Sequence, residues 1–441
     1  MIRTASRLDH IAPFYVMECA KAAAALADSP ACDPRLGGEP MLFLNIGEPD
    51  FSASTGVQAA AAACIQAGLT QYTQATGLPA LRQAISGWYA QRFGLDIDPA
   101  RILITAGASA ALQLACLALF EAGDEVLMPD PSYPCNRHFV AAVGAQARLL
   151  PASAAARFQL DAASVARAWQ PHTRGVLLAS PSNPTGTSIA SAELQAIVQA
   201  VRARGGVTLV DEIYLGLSYD QRYGQSALAL DEDVISINSF SKYFGMTGWR
   251  LGWMVAPLEL VPALEKLAQN LYICASSVAQ HAALACFDAA SLATYEQRRG
   301  EFKRRRDYIV PALERLDLPV PVLPDGAFYA WFDCTRHNPD SWDFCFDMMQ
   351  RAHVALTPGR DFGPALAQHF VRLSFASSMA DLQAAVSRLA RACELGTKTG
   401  ADVGVDDRAD ERTDDSANVS AKVSANNGAS VTSLAATQQQ T

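Results

Sequence analysis

Several things are scarce in this 441-residue chain. Basic residues are outnumbered, 35 Lys and Arg against 44 Asp and Glu, which gives a net charge of -9 and a pI near 5.3. A nucleic-acid partner calls for a basic face that displaces counterions from phosphates, so that class is set aside. No run of about 18 uninterrupted apolar residues occurs, so no membrane-spanning helix and no membrane partner is expected. The ten cysteines form no CxxC pair. Most stand in apolar stretches such as Leu114-Ala-Cys116, where Cys behaves as a small hydrophobe, and free thiols in a reducing compartment are expected. The seven histidines, His138 and His281 among them, lack metal-ligand spacing, so no metal is expected. Neither a P-loop nor a GxGxxG follows any strand-like run, which removes the common nucleotide fingerprints. The opening residues, Met1 to His10, lack the charged-then-apolar pattern of a secretory signal, and a cytoplasmic location is the default expectation.

What is present is apolar material in abundance, 50% of the residues, enough for a large core in two domains or one large α/β domain with an appendage. Short β-branched runs alternate with longer Ala- and Leu-rich helical runs from Met41 to about Ala392. The strand candidates are Arg101–Thr105, Glu125–Met128, Ala147–Leu150, Gly175–Ala179, Gly206–Val210 and Val234–Ile237, with helices such as Ala110–Glu121 and Ser191–Arg204 between them. That alternation predicts an α/β fold, a mostly parallel central sheet covered by helices. From about Ser291 a charged helix, Tyr295–Arg315, leads into β-like segments Phe328–Phe332 and Phe370–Ser374 and a final helix, Met379–Glu394, which read as a smaller α+β domain. The expected division is therefore 1–50, an N-terminal segment of the small domain; 51–290, the large domain; and 291–395, the small C-terminal domain. After about Gly396 polar residues dominate, with seven acids and two arginines between Asp402 and Asp415, and 396–441 is expected to be a disordered tail.

In open α/β sheets ligands gather beyond the carboxyl ends of the strands. Polar clusters follow the strand candidates here at Gly107-Ala-Ser109, Asp130–Tyr133, Ser182-Asn183, Asp211 and Ser239–Lys242. Lys242 stands in Ser239-Phe-Ser-Lys-Tyr-Phe-Gly-Met-Thr-Gly-Trp-Arg250, and about thirty residues upstream a strand candidate runs into Asp211-Glu-Ile-Tyr214. Together they offer an amine that can condense with an aldehyde and an acid that can pair with a ring nitrogen. A phosphate is held by backbone N–H groups at a helix start, and Thr105-Ala-Gly-Ala-Ser109 ends a strand and opens a helix. Each feature also has a plainer reading. Ser109 could be an N-cap, Gly107 and Ser182-Asn-Pro-Thr-Gly186 simple turns, Tyr133 core, and Arg372 a salt-bridged strand residue.

The run Ser239–Arg250, with Gly252, closely resembles the lysine motif of class I/II aminotransferases, among the fold-type I enzymes that use pyridoxal 5′-phosphate (PLP). The resemblance covers roughly residues 10 to 394. It implies that Lys242 bonds to the cofactor and moves the substrate proton, that Asp211 keeps the pyridine nitrogen protonated, and that Tyr214 and Asn183 share the ring's phenolic oxygen. It further implies phosphate contacts from Ala108, Ser109, Ser239 and Arg250, a stacking role for Tyr133, and a substrate carboxylate site at Arg372, Asn183 and Gly47. Tyr72, in Gln71-Tyr-Thr-Gln-Ala-Thr-Gly77, resembles a tyrosine that reaches the cofactor of a neighbouring subunit, so a homodimer with shared active sites is implied. The implied reaction exchanges an amino group between an amino acid and a 2-oxo acid in ping-pong fashion. A lyase or a 2-oxoamine synthase on the same fold is the nearest rival. A transcriptional regulator with an aminotransferase-like domain would need a basic module ahead of the fold, and about 40 residues precede Gly47. Ser109 stands where one bacterial aspartate-specific subgroup has a lysine that meets a distal carboxylate, which shifts the expected donor toward a neutral or aromatic amino acid, with 2-oxoglutarate or pyruvate as acceptor.

Overall fold

A computed structural model describes residues 2–401. In chain order its strands are β1 (Leu42–Phe43), β2 (Ile102–Thr105), β3 (Glu125–Asp130), β4 (Gln146–Pro151), β5 (Thr173–Ala179), β6 (Val207–Asp211), β7 (Ile235–Ser239), β8 (Gly252–Val255), β9 (Tyr329–Asp333), β10 (Val354–Ala355), β11 (Thr357–Pro358) and β12 (Phe370–Ser374). Seven of them form the central sheet, in the order β2-β8-β7-β6-β5-β3-β4. Pairs among β7, β6, β5, β3 and β4 are parallel, so the expected mostly parallel sheet is present. The interior strands β3, β6 and β7 are buried almost throughout, because helices cover both faces, and they show no in-out alternation. The edge strand β4 is half-exposed along its length.

The six strand candidates of this sheet all form, within a residue or two of their expected ends. β8 was not expected. It is short, and it runs antiparallel between β2 and β7, pairing Gly252 with Thr105 on one side and Ser239 on the other. Only glycine fits there, since a Cβ would come within 2.8 Å of the Asn238 carbonyl oxygen and of the Gly107 carbonyl carbon. The strand thereby brings the ends of β2 and β7 to the same edge of the sheet, where Gly107 and Lys242 follow.

The loop after β7 is fixed by aromatic burial. Phe240 and Phe244, two residues either side of Lys242, are buried against Trp253, with ring centroids 4.9 and 6.2 Å away. Each buried Phe contributes roughly 1.5–3 kcal/mol relative to exposure, which holds the loop in one conformation.

A second, antiparallel sheet has the order β11-β12-β9 and places Arg372 between Thr357 and Trp331. The N-terminal β1 pairs in parallel with β10, Leu42 opposite Val354. The charged helix starts earlier than expected, at Ala289, and ends at Glu314. The last helix runs Met379–Ala401 and takes in the first residues assigned to a tail. Once a helix is nucleated, each added residue gains a hydrogen bond without a new nucleus. The rest of the expected tail, 402–441, lies outside the described residues.

Candidate active site

The carboxyl ends of β2, β6 and β7 open into a cavity of about 800 Å³. Ala108, Ser109, Tyr133, Asn183, Asp211, Tyr214, Ser239, Lys242, Arg250, Gly47 and Arg372 all line it. Of the site residues that the resemblance implied, Tyr72 alone is not among those lining it. It lies between the helices Thr55–Gln66 and Pro79–Phe93 and is 78% exposed. His138, close to Tyr133 in the chain, does not line the cavity either.

Lys242 projects from the aromatic-anchored loop, and its Nζ donates to the Gly47 carbonyl at 2.7 Å. Burial pushes the amine down to about 8, aided by the Arg372 and Arg250 cations and opposed by Glu48 and Asp211. It is therefore still mostly ammonium at neutral pH but carries a share of free amine there, and it becomes mostly the neutral nucleophile only above about 8. Asp211 ends β6 and is buried, with Oδ1 accepting the Ile213 N–H at 3.1 Å. Burial raises its carboxyl to about 6. A cation set against it would favour the charged form, the relation expected for a protonated ring nitrogen.

At the end of β2, Gly107 has φ 86°, a backbone state that suits glycine. A Cβ there would lie 2.7 Å from Nη2 of Arg250. The helix Ala108–Leu119 begins directly after it with no side chain capping its first turn. Its leading N–H groups are orphan donors aimed at the cavity, the arrangement that receives a phosphate. Arg250, held at φ 51° with Nη1 on the Thr247 carbonyl at 2.9 Å, adds the cation. Ser239 Oγ accepts the Ser241 N–H at 3.0 Å at the same edge.

Across the cavity Arg372 is 3% exposed. Its Nη1 donates to Asn183 Oδ1 at 2.8 Å and its Nη2 to the Asn45 carbonyl at 2.6 Å, while Nε is buried with no partner. Its guanidinium lies 4.6 Å from the centre of the Tyr329 ring. Tyr214 and Tyr329 share a hydroxyl hydrogen bond of 2.7 Å. Gly47 passes so close to Tyr329 that a Cβ would meet its hydroxyl at 2.2 Å. Tyr329, Asn45 and Thr357 were not singled out from the sequence. Tyr329 sits in the apolar β-like run Phe328–Phe332 with nothing to mark it as a site residue, whereas Asn45 is two residues from Gly47 and acts through its backbone.

The donor set fits PLP. An uncapped helix start beside an arginine suits a phosphate, a buried acid suits a ring nitrogen, and an amine of lowered basicity suits an aldehyde. Fold and site together define a PLP-dependent enzyme. The comparisons make this specific: the family described as "Aminotransferase class I and II" matches residues 39–389. The chain is 37% identical over 381 residues to the valine–pyruvate aminotransferase of Mycobacterium tuberculosis, covering 86% of this chain and 96% of that protein. An aspartate aminotransferase of Rhizobium meliloti is 32% identical over 406 residues, 88% of this chain and 96% of its own. The crystal structure of an aminotransferase from Mycobacterium tuberculosis superposes with a TM-score of 0.84 at 35% identity, covering 90% of this chain and all of that one. The chain belongs to the class I and II aminotransferases and catalyses PLP-dependent transamination.

Proposed function

We propose that this enzyme takes a neutral, apolar amino acid as donor, and that the residues around the cavity divide the work as follows. Lys242 carries the substrate's Cα proton, its lowered basicity letting one amine act as nucleophile and then as base. Asp211 holds a proton at the ring nitrogen. When bound, PLP supplies the aldehyde that takes up the amino group and the ring that draws in the electron pair left at Cα. Tyr214 and Asn183 hold the ring's phenolic oxygen, while Ala108, Ser109, Ser239 and Arg250 hold the phosphate. Tyr133 packs on the ring face. Arg372 grips the donor's α-carboxylate, its planar fork orienting the Cα–H bond toward Lys242, with Asn183 and the Gly47 backbone beside it.

One observation supports the donor assignment. The cations lining the cavity are Lys242, Arg250 and Arg372, and each is engaged by this scheme, whereas Phe14, Val16, Met17, Ile46, Leu112 and Ile213 supply apolar surface. A second carboxylate would meet no partner among them. The likeness to a valine–pyruvate aminotransferase points the same way. Adding single amino acids to the PLP-loaded enzyme tests it. Valine or another apolar donor should bleach the lysine-bound cofactor band far faster than aspartate, and the reverse order would sink the assignment.

The same reading includes a homodimer in which the exposed Tyr72 reaches the partner's cofactor phosphate, cytoplasmic residence, and a role in amino-acid biosynthesis. It also keeps a large part, 51–290, bearing the cofactor, and a small part, 291–395 with 1–50. The pairing of Leu42 with Val354 supports joining the N-terminal segment to the latter.

A further inference from the structure

The helix Tyr15–Ala27 supplies Val16, Met17 and Ala20 to the cavity wall, and Phe14 just before it also lines the cavity. Met17 is 53% exposed, an uncovered apolar side chain on the cavity wall. The start of this helix has no cap of its own, since no side-chain bond is made by Phe14. Asp361 caps it from the far end of the chain. Asp361 closes a 3-10 turn at Gly359–Asp361 and is 0% exposed. Its Oδ1 accepts the Tyr15 N–H at 2.9 Å and its Oδ2 the Val16 N–H at 2.5 Å. Both oxygens are thus committed to the helix, and a carboxylate at a helix N-terminus is also favoured by the helix dipole.

A local cap fixes only where a helix begins. A cap 346 residues away also fixes where the helix lies. The Asp361 carbonyl accepts Nη2 of Arg137 at 2.9 Å, and Arg137 belongs to the helix Pro134–Ala142, which Tyr133 precedes. Phe14 meets the Tyr133 ring edge-on at 6.4 Å between centroids. Gly359 packs so tightly on the strand that carries Arg372 that a Cβ would lie 2.6 Å from the Phe370 carbonyl oxygen. One turn therefore references the apolar wall to both the ring platform and the carboxylate clamp.

We propose that Asp361 is a positioning residue for donor selection: by holding the first two N–H groups of the helix Tyr15–Ala27, it sets the distance between the apolar wall and Arg372, and so decides which donor side chains are accepted. Asp361 touches neither substrate nor cofactor. It acts through Val16 and Met17. Large apolar donors, which reach the wall, depend on it, and alanine, whose methyl does not, depends on it little. This inference rests on the neutral-donor reading.

The test compares valine with alanine as donor in PLP-loaded enzyme. Asp361→Asn keeps the shape but weakens the cap. It should raise the valine KM about tenfold, the scale of a lost cap, while lowering kcat less and leaving the cofactor band in place, so the valine-to-alanine ratio of kcat/KM falls. Tyr15→Pro removes one of the two N–H donors at a helix position that tolerates proline and should give roughly a third of that loss. Tyr15→Ala removes the ring, keeps the N–H and should leave the ratio unchanged. An unchanged ratio in folded Asp361→Asn overturns the proposal. So does equal loss in Tyr15→Pro and Tyr15→Ala, which decides the matter if Asp361→Asn fails to fold. A wild type that prefers aspartate sinks only the neutral-donor reading, and Asp361 is then judged by whether its variants move the aspartate-to-alanine ratio.

Discussion

The two walls of the cavity are built in opposite ways. The cofactor wall is local: Ser239, Lys242 and Arg250 fall in one short run, and Asp211 ends a central strand while Ala108 opens the helix that follows one. The donor wall is assembled at long range. Arg372 is held by the carbonyl of Asn45, 327 residues away, and the helix Tyr15–Ala27 by Asp361. A local wall preserves the chemistry whatever happens elsewhere, whereas a long-range wall can be retuned by shifting one packed element without touching the reacting groups. Changes on the first should therefore abolish the reaction, and changes on the second should alter which donor is used.

The largest effect belongs to the cofactor wall. Lys242→Ala removes both nucleophile and base and should lower kcat/KM by at least about 10⁴-fold, the upper range for loss of a positioned base. Its fold should persist, because the loop is held by Phe240 and Phe244 rather than by the amine. The same residue has a pH signature in cofactor-free protein. The amine is lowered from 10.5 to about 8, so it is mostly ammonium below that pH and mostly free above it. The rate at which added PLP gives the lysine-bound absorption band should climb as pH rises toward about 8 and level off beyond it. A rate still climbing through pH 10 would mean the cavity does not lower the amine, and full turnover by Lys242→Ala would dissolve the distinction between the walls.

Arg372→Lys comes next and probes the donor wall. Lysine keeps the charge but loses the fork, and the Asn183 and Asn45 contacts cannot both be made from one ammonium in the same place. Kcat/KM should fall about 10²-fold, within the range for truncating a buried hydrogen-bonded charge, with the loss mainly in KM and the cofactor band intact. A loss of the cofactor band instead would place Arg372 on the cofactor side.

This asymmetry also decides what could be read before the fold was known. The interior strand candidates of the central sheet and the polar residues that follow them were legible because burial on both faces writes unbroken apolar runs, the half-exposed edge strand β4 showed only as a short run between helical segments, and the lysine run is contiguous. β8 was hidden because four residues containing a glycine carry too little pattern, although Gly252 was already visible within the motif. Tyr329 was read only as part of a β-like segment, because alternation does not say which side of a small sheet faces a cavity. Asp361 gave no signal at all: an acid after Pro-Gly-Arg is an ordinary turn residue until the helix it caps is known. Asn45 acts through its carbonyl, which no side-chain pattern reports.

The smallest expected effect lies where the walls meet. Ser109 is exposed at the start of the helix Ala108–Leu119 and lines the cavity. In Ser109→Lys the new ammonium would sit at the positive end of a helix, a modest local penalty, and the hydroxyl assigned to the phosphate would be lost. Against this, the cavity would gain a cation not already engaged, and a donor's second carboxylate could pair with it. An exposed, partly screened pair is worth little, so the aspartate-to-valine ratio of kcat/KM should rise only roughly three- to fivefold, and less at high salt. Steady-state rates with both donors at two ionic strengths decide the point. A ratio that stays flat would mean that the donor's distal end points away from Ser109, toward Met17 and the helix that Asp361 holds, and selection would then rest on the long-range wall alone.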